Sequence, residues 1–167
     1  YLSAYTQLAF NWLRHAGYAI PAEVENRLKA YLRKMLSENV FPDFYKPGMS
    51  SSVRAVALAA LAGADPDAVT VTDLRRYYDA LPQMDLFGKA HYLQAASKVK
   101  GAEQYVADAA ELILGQATQT GGKFQFNERW DDSYRQLLAT PLRSNCAVLD
   151  TFVTLAENPA WATKIGD

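Results

Sequence analysis

The stretch that decides the fold is Ser52-Val53-Arg54-Ala55-Val56-Ala57-Leu58-Ala59-Ala60-Leu61. Residues 53–61 are almost all Ala, Val and Leu, so a helix built from them is apolar around most of its circumference. A helix with one apolar stripe needs cover on one side only, whereas this one has to be surrounded. The spacing predicts a central helix over 53–61, with residues 50–52 offering caps.

Working upstream, residues 39–49 hold Pro42, Pro47 and Gly48 and read as a loop. Before it, Leu2, Tyr5, Leu8, Ala9, Trp12 and Leu13 recur at three- and four-residue spacing over 2–16, and Gly17 follows where a helix ends. Pro21 stands in a first-turn position. Beyond it Val24, Leu28, Tyr31, Leu32 and Met35 form one stripe, opposite Glu25, Asn26, Lys29, Arg33 and Lys34. This is the pattern of a surface helix.

Downstream, Asp65-Pro66-Asp67 is a turn, and Thr72 is placed to cap a short helix carrying Leu74, Tyr77, Tyr78 and Leu81, ended by Pro82. Residues 85–99 are low in charge and predict a second helix of central type. After Gly101, residues 103–117 carry Val106, Ala109, Ala110, Ile113 and Leu114 on one stripe. Residues 121–130 break the pattern with Gly-Gly and alternating Phe124 and Phe126, a short extended stretch or hairpin arm. Thr140-Pro141 opens a last apolar helix over 142–155, and Asn158-Pro159 ends it.

Helices of central type thus start near residues 2, 52, 85 and 141, each followed by a more polar partner or a loop. The expectation is an all-α chain of paired antiparallel helices, stacked as a solenoid or closed, at least in part, into an α/α toroid. A chain of 167 residues, half of them hydrophobic, fits one helical domain over 1–167. Seventeen basic against eighteen acidic residues give a net charge of -1, with no basic run, so nucleic acid is not an expected partner. No stretch approaches the ~18–20 apolar residues of a membrane span. The opening Tyr1-Leu2-Ser3, with neither an initiator Met nor a signal peptide, reads as part of something larger.

Candidate chemistry is sparse. His15 and His91 lie far apart in the chain without a ligand-spaced partner, so structural or surface roles are expected, and no metal or cofactor. Glu128, Asp131 and Asp132 cluster beside Trp130. Paired carboxylates in an α/α barrel open a hydrolase or cyclase reading, but carboxylates between a Gly-Gly loop and a helix are ordinarily solvent-facing or capping. Cys146 is expected to be a small buried hydrophobe, with Arg143 one turn earlier as its only candidate activator. Most of the ten Tyr, seven Phe and three Trp fall on the apolar stripes and are expected in the core. No catalytic residue is assigned.

Three segments read together resemble a known family. They are Tyr1-Leu2-Ser3-Ala4-Tyr5 opening a helix that ends Trp12-Leu13-Arg14-His15-Ala16-Gly17-Tyr18, then Ser52-Val53-Arg54-Ala55-Val56-Ala57-Leu58, then Pro141-Leu142-Arg143-Ser144-Asn145-Cys146-Ala147-Val148-Leu149. This order is similar to the thioester domain of bacterial alpha-2-macroglobulin-like proteins. The resemblance implies an α/α toroid of alternating inner and outer helices. It also implies an internal thioester between the Cys and Gln of a Cys-x-Glu-Gln motif, shielded from water until a protease triggers capture. Here Cys146 is followed by Ala147-Val148-Leu149, so no thioester residue carries over; the motif is expected upstream of Tyr1, and some bacterial members lack it. Complement relatives place a His before the third helix, where residues 40–50 here offer Tyr45 and Met49 instead.

The function implied is a helical scaffold, not itself an enzyme, in a broad-range protease trap or inhibitor. Its partners would be the parent protein's other domains, with proteases as targets, and it would make no direct membrane contact. The implied location is the periplasm, with the parent free or lipid-anchored to the inner membrane. A helical-repeat interaction module is the remaining alternative.

Overall fold

The computed structural model describes residues 1–38, 41–129, 134 and 137–157. Among these are seven α-helices: α1 (Leu2–His15), α2 (Ala22–Ser37), α3 (Pro47–Ala64), α4 (Val71–Tyr78), α5 (Leu86–Ala96), α6 (Glu103–Leu114) and α7 (Pro141–Glu157). The fold is all-α apart from one antiparallel hairpin, β1 (Ala117–Thr120) and β2 (Lys123–Phe126), in which Thr120 pairs with Lys123. Gly121 and Gly122 both take positive φ, as the tight two-residue turn between them requires. The extended segment therefore starts before Gly121, at Ala117, the last residue of the expected 103–117 helix.

The 53–61 stretch lies inside α3, which is buried on nearly all sides. Its start is earlier than the loop reading allowed. Pro47 occupies the first turn, where its missing N–H costs nothing, so Gly48 and Met49 are helical. α3 packs on α1 and most extensively on α5, and α5 packs also on α7. This gives a curved row α1-α3-α5-α7, closed at its N-terminal end by the Tyr1–Arg143 bond, with α2, α4 and α6 packed on it.

Two local signals differ from expectation. The cap of α4 is Thr70, whose hydroxyl accepts from Asp73 N while Asp73 accepts from Thr70 N, and a helix that starts there ends at Tyr78, before Pro82. In α1 and α2 the buried faces are rotated from the apolar stripes. α1 buries Ala4, Gln7, Leu8 and Asn11 while Leu2, Trp12 and Leu13 stay exposed, and α2 buries Glu25 while Val24 and Tyr31 stay exposed.

The reason is a polar chain between the helices. Gln7 Nε2 donates to Asn11 Oδ1 (3.1 Å) and Glu25 Oε1 (3.0 Å), and Asn11 Nδ2 donates to Ala60 O of α3 (2.9 Å). Arg14 and Lys29 pair with Glu25. Burial alone would raise the Glu25 carboxyl, but the bonds from Arg14, Lys29 and Gln7 outweigh it and hold it at about 2.

Candidate functional site

The four helices of the row run in the same direction, and their N-terminal ends meet. Asp85 caps α5, its Oδ1 accepting from Gly88 N at 2.7 Å, while its own N–H donates to Ser52 Oγ of α3 at 3.2 Å. Arg143 of α7 donates to Tyr1 Oη (3.1 Å) and Leu137 O, approaches Asp85 Oδ2 (3.7 Å), and stacks its guanidinium over Phe87 at 4.0 Å. Asp85 and Lys89 are each 3% exposed. Burial lowers the Lys89 ammonium's pKa, opposed by the carboxylates of Glu128 and Asp85.

This knot ties four helices together and leaves no room for a substrate. The void between Tyr1, Ser52, Val56, Asp85, Phe87 and Arg143 holds only about 160 Å³, none of it wide enough for a water molecule. The opposite, C-terminal ends of the row diverge around a cleft of about 540 Å³, within the size range of ligand sites. Trp12, Leu8 and Leu155 form its apolar wall, and Asn11, Gln94, Asp150 and Thr151 its polar one. Gln94 Nε2 bridges Asp150 and Thr151 across α5 and α7.

The residues singled out in the sequence do not assemble. His15 is exposed at the rim of the cleft. His91 is buried, and its Nδ1–H donates to Phe87 O at 2.7 Å. That environment lowers its pKa to about 4, chiefly through burial, with Arg143 adding to the effect. Glu128 accepts from Leu86 N at 2.8 Å, so it caps the α5 N-terminus. Trp130, Asp131 and Asp132 lie outside the described residues.

The buried role for Cys146 is corrected: its thiol is exposed. The segment looked uniformly apolar, but α7 turns Ser144, Val148, Thr151 and Leu155 inward and Leu142, Cys146, Leu149 and Val153 outward. Arg143, its candidate activator, spends its hydrogen bonds on Tyr1 and Leu137. Of the residues in place of the complement-type His, Met49 is fully buried, and Tyr45 packs against Phe41 and Phe44. Two aromatics of the expected core stripes, Trp12 and Tyr31, are on the surface, as are Tyr18, Phe44 and Phe124, all more than half exposed.

The sequence reading missed Lys89, Asp85, Gln7, Asn11 and Arg54 as buried polar groups. Arg54 is buried, with its guanidinium 4.1 Å from the Phe41 ring and its Nη1 3.4 Å from Ser50 Oγ. The available signal was an Arg or Lys standing alone within a helix otherwise apolar all round. No group of metal-ligating side chains occurs among the described residues.

The class defined by this arrangement is an all-α chain in which two buried helices, α3 and α5, are flanked by amphipathic ones. Comparison with known proteins finds no matching family model, no matching curated protein and no matching solved structure.

Proposed function

We propose that the chain is a helical scaffold segment of a bacterial macroglobulin-like protease trap, acting in the periplasm without a thioester or catalytic residue of its own. The observation that carries the reading is spatial. The three segments of the resemblance converge at one end of the row: Tyr1 bonds Arg143, and Ser52 and Arg143 both contact Asp85. The succession of packed helices α1-α3-α5-α7, with α2, α4 and α6 packed beside it, supports an arc of a double ring, with the other domains of the parent protein as its neighbours.

The test is made on the full-length parent. Incubated with a broad-range protease, it should shield that protease from a large protein substrate while a small peptide substrate is still cleaved. If Cys-x-Glu-Gln precedes this segment, methylamine pretreatment should abolish the covalent protease adduct. A parent that neither shields nor captures any protease, or that lacks flanking domains, refutes the proposal.

A further inference from the structure

The cleft at the C-terminal ends of the row has no part in the scaffold reading, yet its apolar and polar groups are sorted onto different walls. On the α1 side Trp12 is half exposed, and its ring is held edge-on against Tyr5, with centroids 5.7 Å apart and planes at 82°. The floor is α3 at Ala59 and Gly63, where only small residues stand; a Cβ on Gly63 would come within 2.8 Å of Asn11 Nδ2. An exposed indole of fixed orientation above such a floor is a place for a flat apolar group.

The opposite wall carries one charge of each sign. Asp150 is exposed, but Gln94 Nε2 donates to its Oδ2 at 3.0 Å and so sets it level with Gln94 of α5. Lys98 follows Gln94 by four residues and also lines the cleft, roughly 6 Å further towards the rim. Among the described residues neither Asp150 nor Lys98 makes an ion pair. The two charges are thus spaced so that one α-amino acid can give its ammonium to the carboxylate and its carboxylate to the lysine. The partial negative charge of the converging helix C-termini offsets Lys98 and His15, which disfavours a plain anion, and Lys98 opposes a plain cation.

We infer that this cleft binds a small zwitterion of the α-amino acid class with an aromatic side chain, its ammonium on Asp150, its carboxylate on Lys98 and its ring against Trp12. The cavity of about 540 Å³ has room for one such molecule with its hydration. Both charged groups stand in solvent and contribute little each, so the affinity is modest, with a Kd on the order of 1 mM or just below. The site stands apart from the protease-trap reading, and its failure would leave that reading untouched.

The test titrates L-phenylalanine into the isotope-labelled chain and follows the Trp12 indole Nε1–H resonance by NMR, assigned by its loss in Trp12→Phe. Phenethylamine and phenylpropionate, which carry one charge each, are titrated in parallel. The expected result is a saturable shift with L-phenylalanine, at a Kd at least tenfold below that of either singly charged probe. Asp150→Asn should weaken L-phenylalanine about tenfold and leave phenylpropionate unchanged; Lys98→Gln should weaken it similarly and leave phenethylamine unchanged. Both side chains are exposed, the Asn keeps an acceptor for Gln94, and circular dichroism verifies the fold. No saturable shift up to about 10 mM, equal binding of a singly charged probe, or indifference to either charge substitution overturns the site.

Discussion

Gly88→Ala tests the closest approach in the row. A Cβ at this position would lie 2.5 Å from Ser52 Oγ, 2.7 Å from Ser52 Cβ and 2.8 Å from Ser52 Cα. Ordinary carbon contacts fall at about 3.5–4 Å, so α3 and α5 have to part by roughly 0.7 Å or more at this level, enough to forfeit a quarter to a half of each dispersion contact they share there. Overpacking of this kind costs about 1–3 kcal/mol, and the clash with backbone places it at the upper end; the better helix propensity of Ala returns at most about 1 kcal/mol. The net loss is about 2 kcal/mol, which lowers the Tm by roughly 4–8 °C for a chain of this size. Urea unfolding followed by far-UV circular dichroism reads it as a lower midpoint at unchanged slope. Ser52→Ala in the same chain should not restore stability, because the obstructing Cα remains. Gly115→Ala is the control: φ there is -61°, the nearest atom is Glu111 O at 3.3 Å, and the change should stay within about 0.5 kcal/mol. Wild-type stability in Gly88→Ala refutes the close-packed row.

His91 makes stability depend on pH. Its folded pKa of about 4 lies below the unfolded 6.5, so between those values the unfolded chain binds the extra proton and stability falls as pH drops. The full effect is on the order of 3 kcal/mol, and His91→Gln should flatten the pH 6.5–4 segment of a urea-midpoint titration. Glu25 acts in a lower window: its stabilisation is present above about 4.5 and is lost as pH falls towards 2. Glu25→Gln should therefore cost about 1–3 kcal/mol at pH 7 and little at pH 2, as read by thermal melts at both. Cys146, being exposed, should react with a thiol reagent in the native chain about as fast as in urea; protection in the native chain would contradict the outward turn of the α7 seam.

The two enclosed helices were legible because they rest on pattern alone: an all-apolar 53–61 and a charge-poor 85–99 have to be enclosed, and α3 and α5 are, whereas α1 and α7, expected to be of the same central type, keep exposed faces. The rotation of α1 was not. Its best apolar stripe runs through Leu2, Trp12 and Leu13, yet the face turned to α3 contains Gln7 and Asn11, because these two groups satisfy Glu25 and Ala60 O. A hydrophobicity pattern treats such residues as solvent-facing, and only their partners, 18 and 49 positions away, reveal otherwise. The same limit explains Cys146. In α7 the inner seam carries Ser144 and Thr151 while the outer one carries Leu142 and Leu149, so the more apolar face is not the one that meets α5.

The buried polar groups explain why helices this rich in small side chains adopt one register. Alanine-lined faces slide with little penalty, since one methyl replaces another along the seam. A carboxylate 3% exposed cannot slide. Asp85 is held by Gly88 N and faced by Arg143, and shifting α5 by one turn on α3 would break its N–H bond to Ser52 Oγ and carry Asp85 away from Arg143 and Lys89 away from Glu128. Leaving such a charge buried and unpaired costs several kcal/mol, a large part of the roughly 5–15 kcal/mol that separates a folded domain from its unfolded chain. The knot therefore sets the alignment that the alanines permit, and the Tyr1–Arg143 bond ties α1 to α7 within it.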